Sequence, residues 1–149
     1  MGKKNRNNRG GNRPNNQNGQ PPRYRGKNID MMGDPGRMKR HAIDVFRDIS
    51  RGRYNTNNIA EFLNQEFIMA AITGAREQLR RHEILRNAIV YAYGASADPD
   101  VLSLRNQETV TCQGWELIIN TLYVILNTQD LGTVYGLINR LSTNRDLRL

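Results

Sequence analysis

Few residues in this chain are of a type that does chemistry. Two imidazoles, His41 and His82, and one thiol, Cys112, supply every side chain that suits a neutral-pH base or a sulfur nucleophile. One cysteine and two histidines leave no zinc framework and no intramolecular disulfide. Cys112 precedes Trp115 by about one helical turn and has no base near it in sequence. A nucleophilic cysteine needs a partner that stabilises its thiolate, so Cys112 reads as a small core residue. His41 lies in the basic stretch from Arg37 to Arg40 and reads as solvated. His82, beside Glu83, reads as a semi-buried polar residue on the inner side of a helix. The carboxylates add nothing catalytic: Asp98 and Asp100 flank Pro99 at a helix start, where capping explains them. Glu61, Glu66, Glu77 and Glu83 are scattered among arginines, and Glu77 stands four residues before Arg81, the favourable order for a helix-surface ion pair. No glycine-rich phosphate loop ending in Lys-Ser/Thr, no GxSxG and no HExxH occurs. The expectation is a protein that is not an enzyme and uses no cofactor or metal.

Phosphate recognition is the chemistry the sequence does support. The 149 residues carry 22 Lys+Arg against 14 Asp+Glu, a formal net charge of +8. Lys3, Lys4, Arg6, Arg9, Arg13, Arg23, Arg25 and Lys27 all fall within the first 28 residues, which contain no acid, while the other 121 residues hold 14 bases and 14 acids. The whole net charge therefore belongs to one short segment. Arg9-Gly10-Gly11 is an RGG triplet, and Arg23-Tyr24-Arg25-Gly26 sets an aromatic between two guanidiniums. Arginine binds phosphate bidentately, and its plane, like the tyrosine ring, stacks on bases. The expected nucleic-acid-binding residues are these eight bases and Tyr24, and the expected partner is RNA or DNA. A solubilising tail is the plainer alternative. Arginine outnumbers lysine 18 to 4, with no lysine after Lys39, so Arg76, Arg80, Arg81 and Arg86 could extend such a surface, although nearby acids partly neutralise them.

That segment also contains eight Asn, five Gly and three Pro, with Met1 and Tyr24 as its only large apolar side chains. It cannot bury enough surface to offset the entropy of ordering its backbone, and a disordered arm with a hinge is expected over 1–33. No apolar h-region follows the basic start, so no secretory leader is expected. No apolar run approaches the ~18 residues of a membrane span, so no membrane partner is expected either.

Beyond the arm the patterning is helical. Asp34-Pro35 opens a helix, Met38, Ala42, Val45, Phe46 and Ile49 recur at its spacing, and Gly52 stops it. Asn58 to Glu61 has the form of a capping box, with Asn in place of the usual Ser/Thr, opening a second helix with Ile59, Phe62, Leu63, Phe67 and Ala70/Ala71 inward. Gly74 is expected to divide this from a third helix over 75–93, with Leu79, Leu85, Ile89 and Ala92 inward, unless the two form one long kinked helix. Asp98-Pro99 starts a short helix. Trp115 to Leu126 is strongly apolar; its β-branched residues favour a strand, its length a buried helix. Asp130 caps a last helix with Leu131, Val134, Tyr135, Ile138 and Leu141 on one face. The expected fold is all-α, a compact bundle of five or six helices over 34–142, preceded by the arm and followed by a tail over 143–149.

This layout, a basic Asn/Arg/Gly arm before a neutral compact domain, resembles that of viral coat and nucleocapsid proteins. The resemblance implies an arm that holds the packaged genome and a domain that makes subunit contacts, in a virion or a cytoplasmic nucleoprotein. It equally fits RNA-binding accessory proteins with RGG arms. Apolar residues in the C-terminal third, Tyr135, Leu147 and Leu149 among them, suggest a homo-oligomer or a subunit of a large assembly. The competing expectation is a helical protein–protein interaction module with the arm as a flexible appendage.

Overall fold

A computed structural model describes residues 34–128 and 130–149; the arm and hinge over 1–33, with all nine nucleic-acid-binding candidates, lie outside the described residues. Among the described residues every element is helical: α1 (Pro35–Ser50), a 3-10 helix (Thr56–Leu63), α2 (Gln65–Tyr93), α3 (Pro99–Thr128) and α4 (Leu131–Ser142). Trp115 to Leu126 is thus helix, and it continues the one that starts at Pro99. Twelve residues without a turn signal are too many for a strand, and Trp115, Ile118, Leu122 and Ile125 turn into the core from a 30-residue helix.

Helix α1 buries Met38, Ala42, Ile43, Val45, Phe46 and Ile49 and ends before Gly52, which adopts a left-handed φ of 69°. The capping box is a correction. Asn58 lies inside the 3-10 helix, which is entered instead through Asn55, whose side chain accepts from the Asn57 N–H at 2.9 Å. Glu61 does not turn back to Asn58, because it is drawn across to α1. Asn64 then caps α2, its Oδ1 accepting from the N–H groups of Glu66 and Phe67. The short 3-10 turn aligns Phe62 edge-on with Phe46, Tyr54 and Phe67, at centroid distances of 5.5, 6.0 and 5.2 Å. Edge-to-face rings add to what their burial contributes.

Gly74 does not divide α2. It is buried within the continuous helix, and a Cβ there would lie 2.9 Å from Lys39 Cγ and 3.0 Å from Ile43 Cγ1. The glycine serves the close crossing of α1 over α2. Glycine does end α2 at Gly94, with φ 51° and its N–H on the Val90 carbonyl. Asp98 Oδ1 accepts from the Asp100 N–H to open α3, with Pro99 at the first helical position.

The two long helices form an antiparallel hairpin, each roughly 43–45 Å long at 1.5 Å per residue. The contact between His82 and Glu108 sets its register, bringing Ala75 level with Trp115 and Ile89 level with Val101. On α2, Ile68, Ile72, Ala75, Leu79, His82, Arg86 and Ile89 follow the alternating four- and three-residue steps of a coiled-coil seam. On α3, Val101, Arg105, Glu108, Cys112, Trp115, Ile119, Leu122 and Leu126 do the same. All fifteen are buried or half-buried. The core gathers only around the base of this hairpin, where α1, the 3-10 helix and α4 cover Ile68, Ala71 and Ile72 of α2 and Trp115, Ile118, Leu122 and Ile125 of α3. The far half is uncovered. Leu85 and Ala92, expected inward, are exposed there because nothing packs over them.

Helix α4 buries Val134, Ile138 and Leu141, whereas Leu131 and Tyr135 of the same expected face are about half exposed. Leu147 and Leu149 prove not to be free apolar surface. Leu147 is buried and Leu149 packs against the same core. The closing segment lies so near Gly114 that a Cβ there would collide with the Arg148 carbonyl oxygen. Residues Gly36–Leu149 form one compact unit.

Gly114→Ala is expected to destabilise the protein by about 1–3 kcal/mol, the usual cost of overpacking. The check is a lower urea midpoint together with faster exchange of the Leu147 N–H, which donates to the Asn144 carbonyl. At the start of α4, Thr133 donates both its N–H and its hydroxyl to Asp130 Oδ2, which holds that carboxyl below its ordinary 3.8. A depressed folded-state value means the cap stabilises above the unfolded value and fades as pH falls through the folded one. Asp130→Ala should therefore lower Tm at neutral pH, and the gap from wild type should close below about pH 3.8.

Candidate functional site

The arginines of α2 are placed by its long exposed run. Arg76, Arg80 and Arg81 are exposed and Arg86 is half-buried. Arg76 is committed to a cation–π contact, its guanidinium 5.8 Å from the Tyr123 ring centroid. The expected Glu77–Arg81 pair does not form. Glu77 instead accepts from Lys39 Nζ at 2.9 Å, because the crossing at Gly74 carries Lys39 to it. Arg80 and Arg81 thus remain as exposed cations on α2.

His41 is not solvated. Its Nε2 lies 2.8 Å from Glu61 Oε2, and its ring meets Phe67 edge-on at 5.8 Å. Glu61 Oε1 is buried with no hydrogen-bond partner. The basic neighbours of His41 in sequence obscured this, since a helix sends only every third or fourth residue to one face.

His82 is semi-buried, as expected of it, but its partner is Glu108 of α3 rather than adjacent Glu83. Nδ1 and Oε1 stand 2.6 Å apart, each side chain one-fifth exposed. A carboxylate only accepts, so the ring N–H donates. Arg86 and Arg105 occupy the next seam positions, and Cys112 the position four residues beyond Glu108. An imidazole–carboxylate pair is the supporting half of a nucleophilic site, yet Cys112 does not complete one. Burial pushes its thiol up, with Glu83, Glu108 and Glu116 adding to the effect and Arg86 opposing it. The thiol stays protonated at neutral pH, and its nucleophilic form is scarce. Among the described residues no group of three or more His, Cys, Asp or Glu is placed to hold a metal ion. What this polar layer does well is fix register, since sliding either helix by a turn would leave a charge facing an apolar side chain.

An open groove of about 720 Å³ runs along the outer side of α3 between Pro99 and Thr111, with Arg148 at its edge. Its walls are Leu102 and Val110 with hydroxyls and amides from Ser103, Asn106 and Gln107. No acid or base other than Arg148 lines it, so it offers shape and hydrogen bonds rather than proton transfer.

The feature that sequence reasoning missed is the distribution of apolar groups in the far half of the hairpin. Polar His82, Arg86, Arg105 and Glu108 sit in the seam, while Ile84, Leu85, Val90, Tyr91 and Leu104 face outward. The four-three spacing of residues 68–89 and 101–126 was the signal that would have revealed it. Among the described residues no helix is long and apolar enough to cross a membrane. Compared with known family models, curated proteins and solved structures, the chain matches none.

If the seam pair is there for register, removing one partner should hurt more than removing both. Glu108→Leu should cost about 1–3 kcal/mol by leaving the ring N–H without an acceptor. His82→Leu with Glu108→Leu should bring stability back to within about 1 kcal/mol of wild type or above it. Urea denaturation of the three proteins reads both.

Proposed function

We propose that this chain is a non-enzymatic structural component of a nucleoprotein assembly, of the virion or capsid kind, whose basic arm binds the phosphate backbone of nucleic acid while its helical domain makes subunit contacts. One observation carries the reading: eight basic side chains and no acid occupy the first 28 residues, and the rest of the chain is neutral. Charge segregated in this way is the footprint of polyanion binding. Dispersed arginines among Asn and Gly present no fixed base-reading geometry, so binding carries little sequence preference. Twenty-eight extended residues span at most about 90–100 Å, enough to reach from a protein layer onto a packaged strand. Tyr24 between Arg23 and Arg25 supplies a stacking contact of ~1–3 kcal/mol on single strands.

A second reading is favoured by the exposed apolar residues of the hairpin. In it the helical domain is an interaction module that docks on another protein and the arm is an appendage. Binding of the full chain to unrelated oligonucleotides, measured against salt, separates the two. The slope of log affinity against log salt should approach about −5 to −7 if most of the eight charges meet phosphate, at roughly −0.7 to −0.9 per contact. Replacing Lys3, Lys4, Arg6, Arg9, Arg13, Arg23, Arg25 and Lys27 with Gln should abolish most of that slope. Unchanged affinity and slope would move the function to the interaction module.

A further inference from the structure

Exposed apolar side chains occur on every outer side of the far half of the hairpin, Val90 and Tyr93 among them, and one flank combines them with opposite charges. In the register set by His82 and Glu108, Arg81, Leu85 and Ala88 step by four and three along one flank of α2. Asp100, Leu104 and Gln107 step the same way along the neighbouring flank of α3, while the Arg76–Tyr123 contact marks the opposite side. Ile84 and Tyr91 border the first flank. The large side chains here are well exposed, Ile84 at 56%, Leu85 at 45%, Leu104 at 50% and Tyr91 at 94%.

We propose that two copies of this chain associate antiparallel through this flank of the α2–α3 hairpin, with Leu85 and Leu104 of both copies about the two-fold axis and Arg81 of each facing Asp100 of the other. Charge placement selects the occupant. Arg81 lies at the core-proximal end of the flank and Asp100 at the tip end, about nine helical steps or ~14 Å apart in level, with Leu85 and Leu104 midway. Both charged residues are exposed. A two-fold axis at the midpoint carries each arginine onto an aspartate, whereas parallel stacking sets like charges together. A patch that is its own complement under a two-fold rotation is what an isologous dimer requires.

Area agrees with charge. At about 200 Å² for a large side chain, the four exposed apolar groups present roughly 500 Å², near the upper end of the largest patch on an ordinary monomer. The Ala88, Arg81, Asp100 and Gln107 borders bring the footprint to on the order of 800 Å² per copy, that of a standard stable interface. The product is a four-helix bundle around the far halves of two hairpins, which gives these halves the cover that α1 and α4 give the near ones. This deepens the subunit-contact part of the proposed function and does not depend on the arm.

The test is the mass of the full chain, freed of nucleic acid, by sedimentation equilibrium. Wild type should weigh twice its 17.1 kDa. Leu85→Glu with Tyr91→Glu should give a monomer with an unchanged helical far-UV spectrum, since neither side chain is in the core. Tyr135→Glu, equally exposed on α4, should stay dimeric. Arg81→Glu should weaken the dimer at least ~10-fold, and adding Asp100→Arg should return it to within ~3-fold of wild type, because the swapped charges again oppose. A wild-type monomer at about 100 times a micromolar Kd, a dimer that survives the Leu85 and Tyr91 changes, or a charge swap weaker than the single reversal would overturn the proposal. The salt slope for oligonucleotide binding stands apart: a wild-type protein that is monomeric yet keeps the slope overturns this dimer and leaves the arm's role intact.

Discussion

An antiparallel pair of helices about 44 Å long needs a partner along its whole length, and this domain supplies one for only half. That shortfall governs the rest of the structure. At the base, α1, the 3-10 helix and α4 surround Trp115, Ile118 and Leu122, and the seam there is apolar because it is the middle of a core. Further out, the seam has water on both sides, and a purely apolar stripe would hold two helices together without specifying how they align. His82 on Glu108 supplies alignment, and Ile89 opposite Val101 closes the end before the Gly94 turn. The cost is that apolar groups displaced from the seam face outward.

Much of the base was legible in the sequence. Met38, Ala42, Val45, Phe46 and Ile49 all pointed inward by spacing, and all are buried. The helix starts at Asp98-Pro99 and Asp130 depend on side-chain-to-backbone bonds within three residues, and local chemistry of that kind can be read from a string. Gly74 and the Asn58–Glu61 capping box misled for one shared reason. A glycine inside a helical pattern has either a local meaning, a break, or a tertiary one, a close crossing, and only the position of α1 decides. Glu61 likewise had a local partner in principle and a distant one, His41, in fact. The partners of Glu77 and His82 were chosen by helix crossing in the same way. Leu147 and Leu149 looked like surplus apolar surface because no periodic pattern connects them to a helix; they pack where Gly114 leaves room.

Charge in this chain is partitioned as sharply as packing. Residues 29–149 are neutral, and Glu61, Glu77, Glu108, Asp98 and Asp130 are engaged in cross-helix pairs or caps. A neutral stretch adds little long-range field of its own, so the field of the chain is set by its first 28 residues. The absence of lysine beyond Lys39 has the same sense: guanidinium groups such as Arg76 on Tyr123 are weakly hydrated and serve contacts that ammonium groups serve poorly.

Cys112 stands at the junction of the two regimes, the last seam residue of α3 before the polar layer, and it is the one thiol of the chain. Its place makes it a fixed gauge of breathing. Sub-global openings of a native protein differ in free energy from global unfolding, and a thiol at this level is uncovered as soon as the hairpin splays back to the core, while the base remains folded. The rate at which Cys112 meets a reagent in solution thus measures the tightness of the far half alone, separately from the stability of the whole.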